Sequence, residues 1–158
     1  PYKKTKLIVE AFNTMPDKKL VVIGDGEEFD DIKKIAEENI TLLGYQDSSK
    51  MIEYIQKAKA FVYAAVEDFG IVPIEAMSCG TPVIALDDGG TKETVEDGFL
   101  GIHFKNQTNK DIVDAVKRFE KANFDYNLIS KKAKKYSIRR FKKEIDIFIK
   151  EKFEESKS

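Results

Sequence analysis

The sequence predicts an α/β domain in which a parallel sheet is covered by helices on both faces. Three observations carry that expectation. Five short apolar runs, at 20–23, 40–43, 60–66, 82–86 and 101–104, are separated by stretches of helical periodicity. The runs are mostly apolar, as strands buried on both faces are. Gly24, Gly44, Glu67 and Gly89 each follow a run, so a parallel arrangement brings all four to the strands' carboxyl ends, where ligands of such sheets bind. Strand, helix, strand in regular succession is a Rossmann-like layered order.

The bulk numbers fit one domain over residues 1–158. A chain of 158 residues buries roughly 70% of its unfolded surface. The net charge of -1 gives no basic field for nucleic acid. One cysteine excludes an internal disulfide and fits a reducing, cytoplasmic setting. No apolar run approaches the roughly 20 residues that span a bilayer, and no secretory leader is visible. The chain opens on Pro1 without an initiator methionine, and we read it as a piece of something longer.

Taken in order, Leu7, Ile8, Ala11, Phe12 and Met15 share one helical face after Tyr2-Lys3-Lys4. A turn at Asp17 leads into the first strand, and Gly24-Asp25-Gly26 leads into a helix that should reach about Glu38. The glycine pair suits a tight strand-to-helix turn and equally a lining for phosphates; Phe29 in the third glycine position and no acidic residue after the next strand argue against a dinucleotide fingerprint. Asp47 or Ser48 can cap the next helix, expected over 49–57 with Met51, Ile52, Tyr54 and Ile55 inward. Residues 109–121 form an amphipathic helix with Ile112, Val113, Val116 and Phe119 inward. His103, the one histidine, sits in the last strand and reads as packing; Cys79 reads as a small buried residue.

The stretch with most chemistry runs from Ala60 to Leu86. Glu67-Asp68-Phe69-Gly70 breaks the third strand, Pro73 suits a helix's first turn, and Gly80 with Pro82 ends that helix. The first amides of a helix have no internal partners and carry partial positive charge, which suits a phosphate. A carboxylate beside a phosphate is repelled by it and suits sugar hydroxyls instead. Glu67 at the strand end and Glu75 in the helix, whose side chain leans toward the helix start, are the two carboxylates. Phosphate on amides and hydroxyls on carboxylates together suggest a nucleotide sugar.

Glu67 and Glu75 in EDFGIVPIEAMSCGTPVIA resemble the signature of the retaining GT-B glycosyltransferases of the large group 1 family (family 4). The resemblance covers most of the chain and implies that it is the C-terminal, donor-binding half of a GT-B fold, with the N-terminal acceptor domain outside this chain. It implies that Glu75 takes the ribose hydroxyls, that Glu67 with the amides of Phe69, Gly70 and Ile71 holds the donor sugar, and that amides near Ile71 and Val72 hold the diphosphate. Carried back from Glu10-Ala11-Phe12, the family's diphosphate-binding lysine falls on Lys3, which by itself reads as a solvated lysine. The family's companion arginine, and a strand at the centre of the sheet, would lie upstream of Pro1. Gly24, Gly44 and Tyr45 fall on loops near the phosphates and base, and Gly89, Gly90 and Glu93 match a "GG-x-x-E" stretch; a flexible turn explains the last three equally well.

The resemblance further implies transfer of a sugar from a UDP-, GDP- or ADP-linked donor, with retention, to a glycan or lipid-linked acceptor. No cofactor and no metal are expected, in keeping with the lack of an Asp-x-Asp after a strand and of a His/Cys cluster. A sugar-nucleotide epimerase or phosphorylase of similar architecture, and a non-catalytic nucleotide-binding module, are the alternatives. The tail interleaves Lys131, Lys132, Lys134, Lys135, Arg139, Arg140, Lys142 and Lys143 with Ile138, Phe141, Ile145 and Phe148. It reads as a solvated face of a last helix, about 137–155, or as a peripheral contact with an anionic membrane surface; the resemblance implies that this helix, which in the family begins near an aromatic where Ile138 stands here, packs back across the domain interface.

Overall fold

The structure, a computed structural model, describes residues 2–157. Pro1 and Ser158, the ends of the expected domain, lie outside the described residues. The element order is α1 (Thr5–Asn13), β1 (Leu20–Val22), α2 (Phe29–Ile35), β2 (Ile40–Leu42), α3 (Ser48–Lys57), β3 (Phe61–Tyr63), α4 (Ile71–Ser78), β4 (Val83–Leu86), α5 (Gly90–Thr94), β5 (Gly101–Phe104), α6 (Asn109–Lys121), α7 (Tyr126–Ala133), a 3-10 turn (Lys134–Tyr136) and α8 (Ile138–Glu155). Every strand pair is parallel. This is the expected α/β layering, and the five apolar runs are its five strands.

The strands form two sheets where one was expected. β1 pairs only with β2, and β3–β4–β5 make the second sheet. In a parallel ladder alternate residues bond to alternate sides. Leu20 and Val22 bond to β2, so the peptide groups of Val21 point the other way. Phe61 bonds toward β4, so the peptide groups of Val62 also point away from the ladder. Among the described residues no strand joins β1 to β3. The two sheets are instead bridged by one apolar cluster, in which Ile8 and Phe12 of α1 and Ile112 and Val116 of α6 meet Ile40, Ile84 and Phe104. A second cluster on the opposite face joins Ile55, Tyr63, Ile74, Met77, Val83 and Ile129. Fully buried isoleucines such as Ile112 and Ile129 contribute about 1.5–3 kcal/mol apiece.

Several boundaries differ from the sequence reading for identifiable reasons. β3 stops at Tyr63, not Val66, and just past it the Gln107 side chain donates to the Ala64 carbonyl at 2.7 Å. α2 stops at Ile35, short of Glu38, because Asn13 of α1 donates to the Ile35 carbonyl and accepts from the Glu37 amide. α3 begins at Ser48 with Asp47 as its cap, accepting from Lys50 N at 2.8 Å. Of the four apolar residues expected inside α3, only Ile55 is buried. Met51 packs beside it one turn away, Tyr54 is half-buried with the Lys50 ammonium over its ring, and Ile52 is exposed. α6 keeps the expected bounds, with Ile112 and Val116 buried and Val113 and Phe119 at the margin. Helix α7, hidden in the sequence by its lysines, packs Ile129 and Ala133 behind α4, and Ser130 donates to the Ser78 carbonyl.

Candidate functional site

Gly70 opens α4 with φ 75°, a left-handed conformation that glycine adopts without steric cost. No side chain caps this end. The amides of Ile71 and Val72, the first two residues of the helix, therefore lack helical partners, and Pro73 brings none. Pro73, Ile74, Ala76 and Met77 are buried, whereas Ile71, Glu75 and Ser78 share the solvent-facing row. Ile71 is 62% exposed and Phe69 51% exposed, so the amide end of α4 faces solvent, with Glu75 one turn along the same row. The Phe69 ring meets Tyr136 edge-on at 5.8 Å, which ties the loop to the turn before α8. Cys79, one turn beyond Glu75, is half-buried; burial pushes its thiol up, and the Glu75 carboxylate adds to the shift.

Glu67 is half-buried where the chain leaves β3. Its carbonyl accepts from the Gly90 amide at 2.7 Å. A Cβ at Gly89 would lie 2.5 Å from the Glu67 carbonyl oxygen, and one at Gly90 would lie 2.5 Å from the Phe69 backbone. The close approach these two glycines permit is thus to the backbone of the Glu67–Gly70 loop. Thr91, buried, fastens the start of α5 by donating to the Leu86 carbonyl at 2.7 Å. Loop and α5 hold each other in place.

Tyr63 is a site residue that the sequence reading did not single out. It is 5% exposed, and its hydroxyl has no hydrogen-bond partner among the described residues. Burial pushes its phenol well above the usual range, and the nearby Glu67 carboxylate pushes the same way, with a small contribution from Tyr2. The two groups are within electrostatic reach of each other, and among the described residues no hydrogen bond closes between them. The signal available in sequence was a polar aromatic four residues before Glu67, at the end of a strand. Lys3 is exposed, with its ammonium 5.8 Å from the Tyr2 ring and no ion pair to Glu67 among the described residues.

Gly24 and Gly44 sit beyond the ends of β1 and β2 and bridge to each other, the Gly24 amide donating to the Gly44 carbonyl at 2.8 Å. Both have positive φ. Tyr45, next in the chain, is 74% exposed. A separate surface depression of about 560 Å³ lies on the far side of β5, lined by residues including Asp87, His103 and Arg118. It contains none of Glu67, Phe69–Val72 or Glu75. The His103 ring is mostly buried, with Nδ1 3.5 Å from the Asp87 carboxylate. No group of three or more His, Cys, Asp or Glu side chains among the described residues is arranged to hold a metal ion.

Parallel strands covered by helices on both faces, in this order, are the architecture of one half of a GT-B fold. The chain belongs to the family described as glycosyl transferases group 1, whose profile matches residues 1–136. It is 29% identical over 121 residues to an uncharacterized glycosyltransferase of Methanocaldococcus jannaschii, covering 73% of this chain and 34% of that relative. The chain thus spans about a third of that relative's length. Among solved structures, the lipopolysaccharide outer core galactosyltransferase WaaB in its apo form superposes with a TM-score of 0.80 at 20% identity, over 95% of this chain and 46% of that one. HepE of Anabaena, solved in complex with UDP and glucose, superposes with a TM-score of 0.67 at 23% identity, over 84% of this chain and 38% of that one.

Proposed function

We propose that this chain is the donor-binding domain of a retaining glycosyltransferase that takes a UDP-, GDP- or ADP-linked sugar. The observation that carries the reading is the open start of α4. Its unpartnered amides face solvent beside Glu67 and Glu75, while every other side of the helix is packed. The diphosphate sits on the amides of Ile71 and Val72, favoured by the helix dipole. Glu75 accepts from the ribose hydroxyls. Glu67 and the amides of Phe69 and Gly70 position the donor sugar, and Lys3 neutralises the departing diphosphate. Gly24, Gly44 and Tyr45 border the phosphates and base, while Gly89 and Gly90 set the height of the Glu67 loop from below. That HepE, of the same fold, was solved with UDP and glucose supports a nucleotide-sugar donor.

Membership of the group 1 family supports transferase chemistry. Retention results when the acceptor attacks from the face that the diphosphate leaves. Cationic and helix-end groups take the role that a metal plays elsewhere, so neither metal nor other cofactor is required. The acceptor, a glycan or lipid-linked sugar, is held by an N-terminal domain outside this chain, and the work is cytoplasmic. One domain alone binds donor but turns it over poorly, since juxtaposing two reactants supplies several kcal/mol of the barrier.

Calorimetry with UDP- and GDP-sugars in the presence of EDTA tests the reading. Binding is expected, and Glu75→Ala is expected to weaken it by about 1.5–3 kcal/mol, the range for hydrogen bonds to a charged group. Unchanged affinity in that variant removes the role of Glu75, and strict metal dependence overturns the site.

A further inference from the structure

Tyr63 ends β3, and its ring belongs to the apolar cluster that also holds Ile74 and Met77 of α4. The Phe61 ring stacks beside it, with centroids 6.1 Å apart. A phenylalanine would fill that space equally well, so packing accounts for the ring and not for the hydroxyl. The hydroxyl oxygen is closed off from solvent by this chain's own atoms and has no hydrogen-bond partner among the described residues. Buried side-chain polar atoms are nearly always paired, because leaving one unpaired is costly.

The group within its reach is Glu67. The Glu67 backbone is fixed: its carbonyl accepts from the Gly90 amide at 2.7 Å, and a Cβ at Gly89 would lie 2.5 Å from that carbonyl oxygen. The carboxylate is not fixed in the same way, since among the described residues no hydrogen bond or ion pair holds it. A buried donor lacking an acceptor thus lies within electrostatic reach of a half-buried acceptor lacking a donor.

We infer that Tyr63 is the positioning residue for Glu67: with a donor sugar on the rim, the Tyr63 hydroxyl donates to one carboxylate oxygen of Glu67 and leaves the other to accept from a sugar hydroxyl. This rests on the proposed donor site and adds to it the group that orients its sugar-binding carboxylate. The hydroxyl is closed off, so it does not touch the sugar and acts only through Glu67. Burial pushes the phenol well above the usual range, and the Glu67 carboxylate adds to the shift. The phenol therefore keeps its proton and serves as a donor. An ionised carboxylate accepts on both oxygens, so the two bonds do not compete. A bond to a charged acceptor is also stronger than a neutral one.

Calorimetry on the whole chain tests this with three pairs: UDP and UDP-glucose, GDP and GDP-mannose, ADP and ADP-glucose. The ratio of the two affinities in a pair reads the contribution of the sugar. In the pair that binds, Tyr63→Phe should weaken the nucleotide sugar about tenfold relative to the nucleotide. On a Glu67→Ala background it should change the ratio no further. Tyr63→Phe keeps the ring and removes a hydroxyl that is unpaired without ligand, so the unliganded variant should melt at or above the parent's temperature. A lower melting temperature would mean that the hydroxyl is already paired, and overturns the inference. So does equal weakening of nucleotide and nucleotide sugar, or an undiminished effect on the Glu67→Ala background. Glu75→Ala, read on the bare nucleotide, tests the donor site separately. If it weakens the nucleotide while Tyr63→Phe leaves the ratio unchanged, the site stands and the positioning role falls. If the parent binds none of the three pairs, both fall.

Discussion

The three-stranded sheet has two edges, and they are finished differently. On the outer edge, β5 is closed by side chains and a turn. The Gly98 amide donates to the Gly101 carbonyl, Asp97 accepts from the His103 amide at 2.7 Å, and Arg118 donates to the His103 carbonyl. On the inner edge, the peptide groups of Val62 in β3 and of Val21 in β1 point away from their ladders, and among the described residues no strand pairs with either. β4, with neighbours on both sides, is buried along its whole length, whereas β1 and β3 keep residues half-exposed. A row of unpaired peptide groups is a template for another strand, and proteins normally blunt such rows. The outer edge is blunted; the inner one has no such closure along Val21 and Val62 among the described residues.

That contrast can be broken or sharpened by measurement. The largest effect is expected at Gly101, where a Cβ would lie 1.8 Å from the Val83 carbonyl oxygen. Gly101→Ala should part β5 from β4 and cost more than about 3 kcal/mol in urea unfolding. A loss below about 1 kcal/mol would mean that the β4–β5 seam is looser than its spacing implies. Next, hydrogen exchange should find the Val21 and Val62 amides about a hundredfold or more faster than the Ile84 amide. Equal protection would show that the inner edge is paired in solution.

Asp97→Ala should open the outer edge, with a loss of about 1 kcal/mol and faster exchange at the His103 amide. The smallest effect lies away from both edges. Glu53 on α3 is held down to about 2, first by its hydrogen bond to Lys50 and then by that to Lys57. Its folded pKa is depressed, so the pairing stabilises the fold above the ordinary glutamate range and is lost as pH falls toward about 2. Both ends are exposed, so Glu53→Gln should flatten the acid limb of a melting-temperature profile only slightly. A large shift would mean that α3 is coupled to the inner edge.

Much of this was legible in the residues. Apolar runs marked every strand to within a few positions because a strand covered on both faces tolerates little else. The α4 segment was legible because Gly70, Pro73, Gly80 and Pro82 act through local dihedral limits, which need no tertiary contact. What was not legible depended on residues distant in sequence. Asn13 ends α2 from 22 residues away, and Gln107 meets the Ala64 carbonyl just past β3 from 43 away. Tyr63 beside Glu67 was masked because one strand aromatic looks like any other until its hydroxyl is found without a partner.

The chain by itself therefore determined the layer order, the placement of the Glu67–Gly70 loop after a strand and the open start of α4, since periodicity and backbone preference act within a few residues. Only the tertiary structure decided that the sheet stands in two parts, that Gly89 and Gly90 are pressed against the Glu67 loop, and that α8 buries none of its side chains. Those outcomes are set by which surfaces find a partner in space, and a linear pattern of apolar and polar residues states that a face is apolar without stating what covers it.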